Sequence, residues 1–303
     1  MGPDLPPGWE RVVREALAAV RPDLASGPLR PLGAGFTSIA LLLDGPDAYV
    51  LRFPKNQDGA DGAEREARLL PELAARLDVP IPRFAFTAPN PFGPGDFHAY
   101  PLVPGDSLSE DEWRERGLLD EPDPPRQIAE MLDAVHSFPM DRAKELGVEE
   151  WDLRATFTEQ LAPLHAEVLP LLSPSAAKAL LTAWEGYVGD DANFDYEPTL
   201  IHADISLDHL LVTGTRITGL IDFGDVTISD PDYEFCYLWP EAGRDFVTRV
   251  QRHRGLALTP RLEAKLRFWT LADPATDLLH AREHDLPDLH AETLVYLRDL
   301  LDD

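Results

Sequence analysis

Two acidic segments carry the residue types from which chemistry could be built. "HADISLDHLLV" runs from His202 to Val212, and "LIDFGD" runs from Leu220 to Asp225. Asp204 sits where a carboxylate could orient an attacking hydroxyl and receive its proton. Asp222 emerges at the end of the apolar run "ITGLI", where a metal ligand could sit. His209, five residues after Asp204, would be the second ligand. His202 is expected to hold the loop by hydrogen bonding and packing rather than to react. Phosphoryl transfer asks for parts of this kind, together with a cation and a cover over the phosphates. Magnesium prefers hard oxygen ligands and imidazole suits softer ions, so a loop-ordering role for His209 stays open beside the ligand role.

With these motifs the chain resembles the aminoglycoside phosphotransferases and their protein-kinase-like relatives. The stretch "TGLIDFGDVTISDPDYEF" adds to the likeness. The match is nearest to the subgroup that phosphorylates a 2″-hydroxyl, with macrolide phosphotransferases next. Both carry His at the loop position where protein kinases have Asn. The resemblance runs from Leu32 to about Trp239. It implies an α+β, bilobal, protein-kinase-like fold with a small β-rich N-lobe and a larger, mainly helical C-lobe. It implies Asp204 as the catalytic carboxylate and His209 with Asp222 as the metal-binding pair. Mg²⁺ is the implied cofactor, and ATP or GTP the donor.

Carried over residue by residue, the resemblance makes "PLGAGFTSIALLL" the nucleotide loop. Gly33 and Gly35 would let backbone approach phosphates, and Phe36, Thr37 and Ser38 would form its tip. In the strand "AYVLRF", alternation puts Val50 and Arg52 on one face and Tyr49, Leu51 and Phe53 on the other. Val50 would line the base pocket. Arg52 falls at the position usually held by a phosphate-binding lysine, and its planar fork is not a lysine equivalent. Glu66 is its expected helix partner, with Glu64 second. Lys55 is the competing cation, displaced to the other face by parity unless Pro54 disturbs the register. "FHAYPLVPG" resembles the hinge, where Tyr100 and Leu102 are placed against the base by position, and Pro101 removes one donor. For the acceptor, Asp208, Asp225, Glu234 and Glu241 are candidates to hold ammonium groups by charge-assisted hydrogen bonds. Asp230, ahead of Pro231, reads as a cap. His136, Cys236 and the tryptophans read as packing residues.

The elements that must position these groups follow from periodicity. Arg11 to Val20 is an amphipathic helix, and Ile39 to Leu43 with "AYVLRF" form strands around the "DGPD" turn. "AEREARLLPELAARL" places Glu66, Leu70, Leu73 and Leu77 on one helical face, with Pro71 expected to kink it. The prolines between Pro80 and Pro104 suit extended edge strands and a crossing. Helices are expected over Pro125–Ser137, Leu153–Leu172 and Ser175–Val188, a strand–loop–strand insert over Leu200–Asp225, and helix again from Pro231 to Leu301. This gives a nucleotide-binding lobe over 1–98, a hinge over 99–105 and a helical lobe over 106–303.

Charge narrows the partners. The formal net of −27 disfavours nucleic acid and anionic membrane surfaces and favours a cationic small molecule. No apolar run reaches the length of a membrane span, and "MGPDLPPGWE" lacks the pattern of a signal peptide. A single cysteine suits a reducing compartment. A cytoplasmic monomer is expected. It would transfer the γ-phosphoryl of ATP or GTP to a hydroxyl of an aminoglycoside-like acceptor. A macrolide, sugar or other metabolite is the alternative acceptor. An inactive, pseudokinase-like nucleotide binder is the reading from another class, motivated by Arg52.

Overall fold

The computed structural model describes residues 5–302; Met1–Asp4, the start of the N-terminal stretch read above, and Asp303 lie outside it. The chain forms two compact units. One comprises residues up to Ser109 with Asp141–Val148 and Asp208–Asp225. The other comprises Glu110–Met140, Glu149–Leu207 and the chain from Val226 on.

In the first unit, α1 (Trp9–Val20) precedes β1 (Leu29–Ala34), β2 (Ser38–Leu43) and β3 (Tyr49–Pro54). Next come α2 (Gln57–Leu73), β4 (Phe86–Pro89) and β5 (Asp96–Pro101). The five strands form one antiparallel sheet in the order β1-β2-β3-β5-β4. The proline-rich stretch therefore supplies one edge strand, β4, and one interior strand, β5. Pro101 is tolerated at the last position of β5, beyond the residues that β4 pairs. Alternation along β3 divides the core as the sequence implies. Leu51 and Phe53 join Leu41, Phe97 and Ala99 under Val13 and Leu17 of α1. Val50 belongs to a second apolar cluster with Tyr100, Val103 and Leu211, edged by Ala40, Phe84 and Ile221.

The Asn56 side chain caps α2 by accepting the Gly59 N–H. The helix buries Glu66, Leu70 and Leu73 on one face. Pro71 lies in its last turn, so it ends the helix early rather than bending its middle. After α3 (Glu110–Glu115) and α4 (Asp123–His136) of the second unit, α5 (Met140–Glu145) lies, but for its first residue, within Asp141–Val148 of the first. The first unit is completed by β7 (Leu210–Thr213) and β8 (Arg216–Leu220), an antiparallel hairpin.

The second unit is mainly helical. The single helix expected over Leu153–Leu172 is instead four short pieces. These are α6 (Leu153–Glu159), α7 (Leu161–Pro163), a π-helical turn and a 3₁₀ turn. Pro163 and Pro170 each remove a helical N–H, and the register changes around them. The unit's longer helices are α8 (Pro174–Gly189), α9 (Leu238–His253), α10 (Pro260–Glu283) and α11 (Pro287–Asp302). Gly243, at φ 80°, breaks α9 near its start. An aromatic core locks α6, α8 and α10 together, with Tyr187 stacked on Phe268 at 4.0 Å and Trp184 edge-on to both Phe157 and Phe268. Between the helices runs a short ribbon of β6 (Thr199–Ile201) and β9 (Thr227–Ser229). No helix among the described residues is long and apolar enough to cross a membrane.

Candidate active site

In the first unit the β1–β2 turn carries Gly33, Gly35, Phe36, Thr37 and Ser38. Gly35 N–H donates to Ser38 O at 3.0 Å, closing the turn. The turn is also pressed from α2, because a Cβ on Gly59 would lie 2.3 Å from Thr37 O. Glycine is required there for the helix to approach the loop. Gly33 and Gly35 themselves have no atom within 4 Å of where a Cβ would stand, so the tip is open.

Arg52 is the centre of the unit's charge. Its Nη1 donates to both oxygens of Glu66 at 2.9 and 2.8 Å, and its Nη2 donates to Asp222 Oδ1 at 3.0 Å. Burial lowers the guanidinium's pKa, but Glu66 and Asp222 outweigh it, and the group stays charged. Burial pushes Glu66, 1% exposed, upward against the opposing pull of Arg52. Glu66 is thus the partner, as the helical period suggested. Lys55 does not compete for it: its Nζ donates to Gly35 O at 3.0 Å.

Asp222 follows β8 with a left-handed backbone, φ 62°. A non-glycine residue in that region stores strain, which asparagine and aspartate tolerate best. Its Oδ2 lies 3.8 Å from His209 Nε2. One imidazole nitrogen and carboxylate oxygens could thus face a common divalent ion, with hard oxygens from a ligand making up the rest. Asp225 keeps a solvent-facing edge. Burial within the turn, and then the like charge of Asp222, raise its carboxyl pKa. Asp208 is exposed, and its carbonyl accepts a hydrogen bond from Ser107 Oγ.

The second apolar cluster contains Val50 and Tyr100, but Leu102 is exposed and its N–H donates to Ala48 O. Ala99 O accepts from Ala85 N on the opposite side. By strand alternation the outward backbone groups after Ala99 are those of Pro101 and Val103, one residue along from Tyr100 and Leu102. Pro101 offers only its carbonyl there.

In the second unit β6 runs directly into His202, Ala203 and Asp204. The Glu234 carboxylate accepts both His202 N–H at 2.9 Å and Ala203 N–H at 3.2 Å. That double acceptance holds Ala203 at φ 69°, a conformation alanine avoids. The Asp204 N–H then donates to His202 Nδ1 at 3.3 Å, so His202 does hold the loop. Burial would raise Glu234, yet His136, 3.4 Å away, and His202 keep its pKa below the ordinary value. Glu234, placed among the acceptor residues by sequence, is 1% exposed and committed to the loop backbone. Glu241 is similarly engaged: its Oε2 accepts the Leu207 N–H at 2.7 Å, while Trp113 Nε1 donates to Leu207 O at 2.9 Å. His136 and Trp113, read as packing residues, thus brace the loop as well.

A second acidic group in this unit was not legible in the sequence. Asp273 and Asp277 lie one turn apart on α10. Asp273 Oδ1 accepts the Tyr237 hydroxyl at 2.9 Å, and Asp277 has no hydrogen bond or ion pair among the described residues. Burial first, then the like charge of Asp277, raise Asp273 to about 7; burial also raises Asp277. The same group includes Asp204, whose charge reaches Cys236 and Tyr237 along with that of Asp273. Neither Asp273 nor Asp277 has a basic partner among the described residues. The i, i+4 spacing on one helix was the available signal, but it reads equally as a solvated face.

The sequence pattern of the phosphotransferase enzyme family matches residues 28–292. The chain belongs to that family. The phosphotransferase is similar to the GDP and kanamycin complex of APH(2″)-IIIa, with 31% identity and a TM-score of 0.87 over 95% of this chain and 98% of that one. It is likewise similar to the GDP complex of wild-type aminoglycoside 2′-phosphotransferase-IIIa, with 30% identity and a TM-score of 0.88 over 97% and 98% of the two chains. The macrolide 2′-phosphotransferase MphH of Brachybacterium faecium shares the fold at 22% identity, with a TM-score of 0.76 over 94% and 97%. The protein-kinase-like α+β fold expected from the motifs is therefore the fold of this phosphotransferase. The uncharacterized protein YcbJ of Bacillus subtilis (strain 168) is 27% identical over 196 residues, 62% of this chain. The match spans 61% of that relative's length.

Proposed function

We propose that the protein transfers the γ-phosphoryl group of ATP or GTP to a hydroxyl of a cationic small molecule of aminoglycoside type. Asp204 is read as the carboxylate that orients the hydroxyl and takes its proton. It is five residues from His209 in one continuous loop, so the chain keeps the two within about 17 Å. His209 and Asp222 are the residues that would hold magnesium. When bound, the ion would neutralise charge on the phosphate oxygens. The Val50–Tyr100–Val103–Leu211 cluster is the apolar surface against which a purine would lie. The GDP complexes of the similar enzymes support a nucleotide donor.

The observation that carries the acceptor class is the Asp273–Asp277 pair. Two half-buried carboxylates without an internal cation are costly when charged, and a bound ammonium group relieves that cost. Kanamycin in the similar enzyme's complex agrees with a polyamine acceptor. Neutral sugars would leave the pair unrelieved, and a macrolide with a single amine would relieve it only in part.

The experiment is a paired screen of ATP and GTP with Mg²⁺ against aminoglycosides, macrolides and sugars, read by product mass. One added phosphoryl group on an aminoglycoside is expected. Nucleotide binding with no product from any acceptor would refute the enzyme reading. Asp204→Ala should keep nucleotide affinity and lose transfer by roughly a hundredfold or more.

A further inference from the structure

We propose that Lys55 is the residue that meets the terminal phosphates of the donor, while Arg52 serves as an internal clamp between Glu66 and Asp222. The proposal rests on the nucleotide-donor reading above. A buried arginine at this strand position is already spent: three of its N–H···O contacts go to two carboxylates of the protein. Around it stand Glu66, Asp222 and Asp225, and the neighbouring cation Arg65 has its Nη2 bound to Gly224 O at 2.6 Å. A triphosphate needs a further cation there.

Lys55 is the residue placed to supply it. It follows the last residue of β3, where the strand's alternation has ended. Its backbone N–H donates to Thr37 O at 2.7 Å, and its Nζ donates to Gly35 O at 3.0 Å. Both bonds tie it to the glycine turn. Lys55 makes no ion pair among the described residues, and it is exposed. Its ammonium is thus held by one neutral carbonyl, which a phosphate oxygen replaces with gain, since charge-assisted bonds are about twice as strong. Besides Arg52, the other cation between Leu29 and Asn56 is Arg30, which lies opposite Leu42, toward the far end of the hairpin from the turn. Thr37 is pinned by Gly59, so Lys55 hangs from the fixed side of the turn while the open Gly33–Gly35 side can settle over a ligand. A lysine also suits this task sterically, because three rotatable donors follow a phosphate that shifts during transfer.

The test is calorimetric titration of wild type, Lys55→Met, Lys55→Arg and Arg52→Lys with guanosine, GDP and GTP, and with adenosine, ADP and ATP, all with Mg²⁺. Lys55→Met should weaken the preferred triphosphate by about tenfold, leave the nucleoside unchanged and leave the melting temperature unchanged. Lys55→Arg should restore most of the loss. Arg52→Lys should lower the melting temperature. Triphosphate affinity equal to wild type in Lys55→Met, or an equal loss for the nucleoside, would overturn the assignment. If wild type binds triphosphates no better than nucleosides, the donor reading fails first, and the Lys55 proposal fails with it.

Discussion

Glu66 and Asp273 are both acids withdrawn from water, one in each unit, and their charges are met in opposite ways. Both oxygens of Glu66 accept from Nη1 of Arg52, so its partner is part of the protein. Asp273 has the hydroxyl of Tyr237 and a like-charged neighbour, Asp277. A carboxylate paired internally is spent on structure, holding β3 to α2 and steadying Asp222. One left without a cation is a debt that a ligand can settle. The difference separates an acid that the protein pairs for itself from one that it leaves without a cation among the described residues.

The largest break in this contrast is Glu66→Ala. It leaves a guanidinium, 13% exposed, with Asp222 as its remaining ion-pair partner among the described residues. Loss of one partner of a buried pair should cost about 3–5 kcal/mol in denaturant unfolding. A loss under about 1 kcal/mol would mean that the pair behaves as a surface bridge.

Asp273→Asn should act in the other direction. Its folded pKa of about 7 exceeds the ordinary carboxylate value, so the native state binds the extra proton between those limits. That contribution to stability is complete at low pH and is lost as pH rises toward and through 7. Above pH 7 the variant should be more stable than wild type, by about 4 kcal/mol, and the two should converge near pH 4. The advantage should shrink when wild type is saturated with a polyamine acceptor. Urea melts across pH with and without acceptor read both effects.

The smallest effect falls on the loop support. Glu234→Gln keeps an acceptor oxygen but can no longer accept His202 and Ala203 N–H with a full charge, and it leaves His136 without an anion. A loss of about 1–2 kcal/mol is expected. The turnover number should fall more than the acceptor KM rises, because Asp204 is displaced rather than removed. A change confined to KM would place Glu234 on the acceptor instead.

The same contrast explains what could be read from the residues alone. Val50, Arg52 and Glu66 were legible because strand parity and helical period each fix a face, and the two faces meet. Asp204, His209 and Asp222 stood out by their spacing around one apolar strand, and the structure brings His209 and Asp222 to 3.8 Å of each other. Asp273 and Asp277 were hidden: α10 is buried on several sides, so acids one turn apart could not be told from a solvated stripe. The role of Glu234 was hidden for a related reason. Its oxygens are taken by backbone N–H groups of a loop some thirty residues earlier, which no local pattern encodes. The broken helix over Leu153–Leu172 was visible in Pro163 and Pro170, whose missing donors outweigh the apolar period around them.

The acceptor claim is tested most directly by kcat/KM for acceptors that differ in their number of ammonium groups, measured with wild type and with Asp273→Asn/Asp277→Asn. Wild type should favour the more highly charged acceptors, and the double variant should lose that preference while keeping its nucleotide affinity. Equal selectivity in both proteins, or efficient transfer by wild type to a neutral sugar, would contradict a cationic acceptor held by these two carboxylates.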